Sequence, residues 1–382
     1  LEEENLKPSR DKIHDLFMEH VMAQAPGYKK LMDWADAPIM PTPGAVGEII
    51  KKIAKNEDIS VVGVDIGGAT TDVFSVFDGQ FNRTVSANLG MSYSICNVLA
   101  ESGVENVSRW VPYDLDEKQL TNRISNKMIR PTTIPQTLEV LKIEQAIARE
   151  ALRLSFEQHK DFAVSLKGIQ QKRTISDAFE QSSSGKTIVD LMSLKLIVGS
   201  GGVLSHAPRR SQAARMLIDA FLPEGVTELA VDSIFMMPQL GVLSVVHPKA
   251  AIEVFEKDCL IRLGTCIAPV GEQKKESVIL NYKIDCGSSI EEGELLSGDM
   301  KLLKIPYKKV KAILTPGKGL DVGAGIDEEI DLDITGGVVG VVLDGRGRRP
   351  FSLPRKTEAR ISSLLKWSDE IDEYPEGDAN NV

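Results

Sequence analysis

The sequence predicts an α/β lobe, interrupted by a helical subdomain and followed by a β-rich domain. Three observations carry that expectation. Short apolar runs joined by tight turns fill residues 59–87, a long amphipathic helical pattern follows, and beyond Ala250 the chain turns to short strands broken by glycines.

Residues 1–58 read as a helical lead-in and connecting segment, with Ile13, Leu16, Phe17 and Val21 at helical spacing and a break at Ala25-Pro26-Gly27. The prolines of Met40-Pro41-Thr42-Pro43 suit a helix start. Gly44, Ala45 and Gly47 then leave one face very small, so something should pack closely there. Residues 59–250 form the main lobe. Ile59 to Asp65 is a buried strand by its apolar run, and Val73 to Phe77 is a second. Asp78-Gly79 then turns into a third, Gln80 to Val85, because Asp-Gly suits a hairpin turn whose residues take positive φ. Three antiparallel strands are expected.

From about 89 to 190 the chain reads as an inserted helical subdomain. Its clearest helix runs from Pro135 to about His159, with Leu138, Leu141, Ile147, Ala151 and Leu154 on one face. Leu194 to Val198 returns to strand, and a glycine turn then leads into a helix over Pro208 to Leu222. Residues 251–360 read as a separate β-rich domain, and 361–382, with Asp369, Glu370, Asp372, Glu373, Glu376 and Asp378, as an acidic, solvated tail.

Composition narrows the function classes. At 382 residues, 42% hydrophobic and 26% charged, the chain can build two or three full cores and is not disordered as a whole. A net charge of −10 disfavours nucleic acid, which demands clustered Lys and Arg. The apolar runs fall far short of the roughly 20 residues that span a bilayer. Four scattered cysteines, 96, 259, 266 and 286, suit neither a disulfide scaffold nor a zinc module, so a reducing cytoplasm is the expected location.

The segment Asp65-Ile66-Gly67-Gly68-Ala69-Thr70-Thr71-Asp72 lies between two strands. Its backbone N–H groups should converge in a tight turn that two glycines open to a phosphate, with hydroxyls at Thr70 and Thr71 as further donors. Asp65 and Asp72 flank that turn. Carboxylates beside a polyphosphate repel it unless a hard cation stands between, so Mg²⁺ is implied, held through water. The competing reading is a purely structural hairpin. A second segment, Gly199-Ser200-Gly201-Gly202, ends a strand and feeds a helix, placing N–H groups where a nucleotide can lie. His206 reads as a turn residue, since spacing identifies no partner carboxylate. Ser182 to Thr187 tempts a P-loop reading, but Glu180 stands where glycine is required. Gly323-Ala324-Gly325 and Gly345-Arg346-Gly347 lack the third glycine of a dinucleotide fingerprint and read as turns.

In that order, the motifs resemble the actin-like ATPase superfamily, of ribonuclease H-like fold. Asp65 to Asp72 is similar to its second phosphate motif and Val198 to Pro208 to its adenosine motif, while the helices after Pro43 and around Pro238 to Ser244 resemble its two connecting segments. Within it, Met40 to Pro43, Asp65 to Val73, Gly199 to Ser205, Gly319 to Gly323, Gly336 to Gly340 and Leu343 to Gly347 look like the MutL (GlmL) family, accessory proteins of adenosylcobalamin-dependent glutamate mutase and related aminomutases. The mismatch-repair protein of that name is unrelated.

The resemblance implies an ATPase of chaperone type that binds ATP or ADP with Mg²⁺, loosens a mutase and lets damaged cofactor leave. It implies Asp65 and Asp72 for metal and water, Gly67, Gly68, Ala69, Thr70 and Thr71 for phosphate, and Gly199, Ser200, Gly201 and Gly202 for the adenosine side. Lys142, Glu144, Arg149 and Arg153 lie on the helix expected to cover the purine; an ordinary solvated face is the plainer reading. The superfamily's first phosphate motif has no counterpart before Asp65, which leads one to expect the later part of a longer protein, with impaired hydrolysis. A small-molecule kinase of the same fold and a non-catalytic partner-binding scaffold are the rival functions.

Overall fold

Strands β1 (Ser60–Ile66), β2 (Thr71–Phe77) and β3 (Gln80–Ser86) form the expected antiparallel meander. Its second turn has Asp78 at φ 49° and Gly79 at φ 72°, the positive values that Asp-Gly accepts. A computed structural model describes residues 24–35, 39–163 and 187–375, with isolated positions before residue 24. Phe17 and Val21 of the expected first helix, Ser182 to Lys186 of the false P-loop, and Glu376 and Asp378 of the acidic tail lie outside the described residues.

The meander is one end of an eight-stranded sheet. Parallel to β1 run β4 (Leu194–Ser200) and β5 (Gly225–Asp232), giving the order β3-β2-β1-β4-β5 of an actin-like, ribonuclease H-like lobe. Because β1 is central it is buried on both faces, hence its continuous apolar run. On one face Val61 packs with Ile49, Ile50 and Ile53 of helix α1 (Thr42–Glu57). On the other, Val62 and Val64 pack with Ile147 and Leu152 of helix α2 (Leu138–Phe162) from the insertion.

The small face of α1 meets a partner. Helix α3 (Met237–Val246) crosses it so closely that a side chain at Gly241 would overlap the carbonyl of Ala45, and against the sheet one at Gly47 would press on the Phe81 ring of β3. Among the described residues no helix is long and apolar enough to cross a membrane.

The β-rich segment is divided between two sheets and is not the separate domain expected at 251–360. Strands β6 (Leu260–Ala268), β9 (Met300–Leu303) and β12 (Gly340–Asp344) complete the large sheet, while β7 (Val278–Asp285), β8 (Ile290–Leu296), β10 (Lys309–Pro316) and β11 (Ile330–Thr335) form a second one. Alternation along β6 explains the fusion: Cys266 enters the main core and Ile267 the core beneath the second sheet. Nor is 361–382 a solvated tail throughout. Thr357–Glu370 is a helix, α4, whose Leu364 and Trp367 are buried, and the Trp367 indole donates to the Gly298 carbonyl at 2.8 Å. The apolar positions Leu364, Trp367 and Ile371 share one face, a period that the surrounding acids obscure.

Candidate functional site

The site grows from the exit of β1. Gly67 N–H donates to the Thr70 carbonyl at 2.8 Å, closing the hairpin on a tip formed by Gly68 and Ala69. The tip is buttressed from behind, because Met91 N–H donates to the Gly67 carbonyl and Ser92 N–H to that of Gly68, both at 2.9 Å. Gly90 permits this contact; a Cβ there would lie 2.5–2.6 Å from the Gly68 and Ala69 backbone. With the carbonyls engaged, the Gly68 and Ala69 amides are left without an acceptor among the described residues. Adjacent unpaired N–H groups at the tip of a glycine turn suit an anion. Thr70 is half-buried at the turn's edge, but Thr71 departs from expectation: it is buried and its hydroxyl donates to the Leu89 carbonyl at 2.5 Å, so it holds the loop rather than facing a ligand.

Asp65 and Asp72 are directly opposed across β1 and β2, which places both carboxylates on one sheet face. Burial raises the Asp65 carboxyl above its usual range, Asp232 at the end of β5 adds to the rise, and a hydrogen bond from Ser200 opposes it. Asp72 is pushed up to about 6 by burial, with Arg83 opposing and Asp65 adding. Its Oδ1 is buried without a hydrogen-bond partner, and the Arg83 Nε stands 3.6 Å away. An orphaned carboxylate oxygen beside a second raised carboxylate fits a hard divalent cation. Among the described residues no group of three or more His, Cys, Asp or Glu forms a metal cage, so such an ion would take its remaining oxygens from water and phosphate, as Mg²⁺ does.

The glycine corner touches this site directly. Gly201, at φ 105°, presses on the last residue of β1: a Cβ there would lie 2.8 Å from the Ile66 carbonyl carbon and nearer still to its oxygen. Gly199 makes room for Leu204 and Leu217, and Ser200 pairs in register with Asp65. Gly202 alone of the four faces open space. The following helix is also broken. A single turn, Gly202–Ser205, precedes the expected one, which runs as α5 over Arg210–Phe221 after Pro208.

Both glycine segments open into one cleft of about 610 Å³. Gly67, Gly68 and Ser92 line it, as do Gly202, Val203, His206 and Pro208. The insertion supplies the rest of its lining through Lys127, the loop Pro131 to Thr137, Leu138, Leu141 and Glu144. Of the four charged residues expected over a purine, only Glu144 lies there, paired with Lys127 at 2.9 Å. Lys142 sits over the Tyr374 ring, Arg149 is buried between Asp219 and Glu373, and Arg153 bonds Glu150 and Glu157. One helix face can line a cleft; residues 142, 149 and 153 point elsewhere around α2. His206 is part of a wall, edge-on to Phe235 with ring centroids 5.0 Å apart.

Sequence reasoning missed Arg83, Ser92, Lys127, the 131–137 loop and Asp232. Asp232 had a usable signal, an acid ending an apolar run as Asp65 does. The others reach the site only through tertiary packing.

Residues 1–259 match the family model described as MutL protein. Protein MutL of Clostridium tetanomorphum is 26% identical over 278 residues, covering 66% of this chain and 57% of that relative, so the chain spans less than two thirds of its length. Two solved structures overlap loosely. Component A of the Acidaminococcus fermentans (R)-2-hydroxyglutaryl-CoA dehydratase shows 13% identity and a TM-score of 0.28, and the Clostridium difficile activator of 2-hydroxyisocaproyl-CoA dehydratase, with bound ADPNP, 15% and 0.27. Each likeness covers 66% of this chain and 85% of the other.

Proposed function

The chain belongs to the MutL protein family, and from that premise we propose that it binds ATP or ADP with Mg²⁺ and serves as a chaperone-like reactivating factor for an adenosylcobalamin-dependent aminomutase of glutamate mutase type. One observation carries the nucleotide part: the Gly67-Gly68 turn and the Gly202 to Pro208 segment, 134 residues apart from Gly68 to Gly202, share one cleft. In this reading the Gly68 and Ala69 amides hold the phosphates. Asp65 and Asp72 would hold Mg²⁺ through water, and the ion would supply countercharge to the phosphates. The base lies between Val203, His206 and Pro208 on one side and Leu138 and Leu141 on the other. Ser200 keeps Asp65 in place, and Ser92 braces the phosphate turn.

Partner work follows from differential binding. Nucleotide shifts a partner only insofar as it binds one cleft state more tightly than another. The mutase assignment draws its support from the family resemblance of the motifs. The test incubates the protein with ATP, Mg²⁺ and a glutamate mutase inactivated by hydroxocobalamin, then adds adenosylcobalamin. Recovery of mutase activity with ATP consumed supports the proposal. Phosphorylation of a small molecule would favour a kinase, and neither turnover nor recovery would leave a scaffold.

A further inference from the structure

We infer that Asp372, Glu373 and Tyr374 are positioning residues of the nucleotide cleft, fastening its two walls together and so setting its width; this rests on the nucleotide reading above. Three consecutive residues after α4 lie between the helix that supplies one wall, α2, and the helix that continues the other, α5. Toward α2, the Tyr374 hydroxyl donates to Gln145 Oε1 at 2.6 Å and Glu373 Oε1 accepts from Arg149 Nη2 at 2.8 Å. Toward α5, the Glu373 carbonyl accepts from Gln212 Nε2 at 3.0 Å, and the Asp372 carbonyl from Ser211 Oγ at 2.8 Å. Arg209, the residue before α5, reaches the Asp372 carboxylate at 2.5 Å. Gln145 also donates to Gln212 at 3.1 Å, which closes a ring of hydrogen bonds through both helices and the segment.

The anchors adjoin the cleft in sequence. Gln145 follows Glu144 and Arg209 follows Pro208, and both of those neighbours line the cleft. A displacement of the fastening must therefore move the walls, because Gln145, Gln212 and Glu373 are buried and each has a hydrogen-bond partner that a shift would strand. Packing of α4 does not require this arrangement. Leu364, Trp367 and Ile371 already bury that helix against the main core, whereas residues 372–374 make polar contacts to the two wall helices.

The full chain is titrated calorimetrically with ADP and Mg²⁺, and the same samples are melted. Tyr374→Phe removes one hydroxyl and keeps the ring; Gln145→Leu breaks the same bond from its other end and the Gln145–Gln212 bond with it. Each should weaken ADP binding about fivefold or more, within the usual range of coupling between sites, with the double variant little worse than the poorer single one. Tyr374→Phe should do so with a melting temperature near that of the wild type, which a merely structural role does not predict. Lys366→Ala, which removes from α4 a surface pair with Asp299, the residue before β9, should leave affinity unchanged. By reciprocity, ADP should slow amide exchange at 371–374 in the wild type. The inference is overturned if the wild type binds ADP while both single variants bind within twofold of it, or if ADP leaves that exchange unchanged. A wild type that binds no ADP overturns the nucleotide reading itself, and the fastening with it.

Discussion

Gly201→Ala and Gly202→Ala separate what the glycine corner does for the fold from what it does for a ligand. Gly201 has φ 105° and ψ 153°, a region open essentially to glycine, at a cost of about 1–3 kcal/mol for another residue. The added Cβ would also stand 2.8 Å from the Ile66 carbonyl carbon and 2.9 Å from its Cγ2, and backbone is what must yield. Overpacking of that kind costs about 1–3 kcal/mol more. Together these give about 2–6 kcal/mol, a large part of a domain's stability, and they pull β4 away from the exit of β1. At Gly202 nothing lies within 4 Å and φ is not positive, so alanine folds without penalty while its methyl enters the cleft. Urea unfolding followed by far-UV circular dichroism, with ADP binding measured on the same samples, reads both effects. Gly201→Ala should lower the urea midpoint and abolish binding; Gly202→Ala should keep the midpoint and lose binding alone. A Gly201→Ala midpoint equal to wild type, or a Gly202→Ala protein that binds ADP normally, would refute the reasoning.

Three further outcomes follow from the same geometry. The Asp72 carboxyl, at about 6 when folded against an ordinary value of 3.8, keeps its proton longer in the folded state. Stability therefore falls as pH rises from about 4 to 6, and Asp72→Asn should be more stable than wild type by about 1–3 kcal/mol at pH 7.5, the gap closing near pH 4 in urea titrations. Removing a buried cation strands its acids, so Arg149→Met, which leaves Asp219 and Glu373 short of a partner, should cost about 3–5 kcal/mol by chemical denaturation. Gly241→Leu should force α3 away from Ala45, dropping the melting temperature by several degrees in a thermal scan while the sheet's circular dichroism persists at low temperature.

The parts of the fold legible in the sequence are those that short-range chemistry dictates. The run Val61 to Val64 and the Asp78-Gly79 turn announce a central strand and a hairpin, and Gly44 to Gly47 announces a close helix contact, because each depends only on neighbours along the chain. Gly67, Gly68 and Gly202 in the cleft are legible for the same reason. Thr71 misleads because its hydroxyl meets Leu89, 18 residues on, a contact no local pattern encodes. The division of residues 251–360 between two sheets was hidden as well. Alternation along β6 says that both faces are buried but not by what, and the partners, β5 and β12, are distant in sequence. Arg149 looks like a surface charge on an amphipathic helix; only Asp219 and Glu373, brought from far along the chain, make it a buried one.

Two charge clusters in the molecule differ in a way that bears on function. Around Asp219 and Asp344, acids meet Arg149, Arg215, Arg346 and Arg348 at 2.6–2.8 Å, all of them buried. Burial alone would raise both carboxyls, yet the surrounding guanidinium groups drive them below the usual carboxylate range. This cluster is complete and needs nothing more. At the exits of β1 and β5 and the entry of β2, by contrast, Asp65 and Asp72 are raised, Asp232 adds to the repulsion on Asp65, and the cation beside them is Arg83, whose side chain is 35% exposed and 3.6 Å from Asp72. A fold that neutralises acids so thoroughly elsewhere leaves these without adequate countercharge, Asp65 and Asp232 at the carboxyl ends of parallel strands, where ligands of α/β sheets bind, and Asp72 directly opposite Asp65. An imbalance of this kind fits the proposed site, whose missing charge would arrive with its ligand. Titrating the protein with Mn²⁺ and ADP, followed by paramagnetic resonance, should therefore show one tight ion that Asp65→Asn and Asp72→Asn each release, while variants of Asp219 leave its signal in place in whatever fraction remains folded.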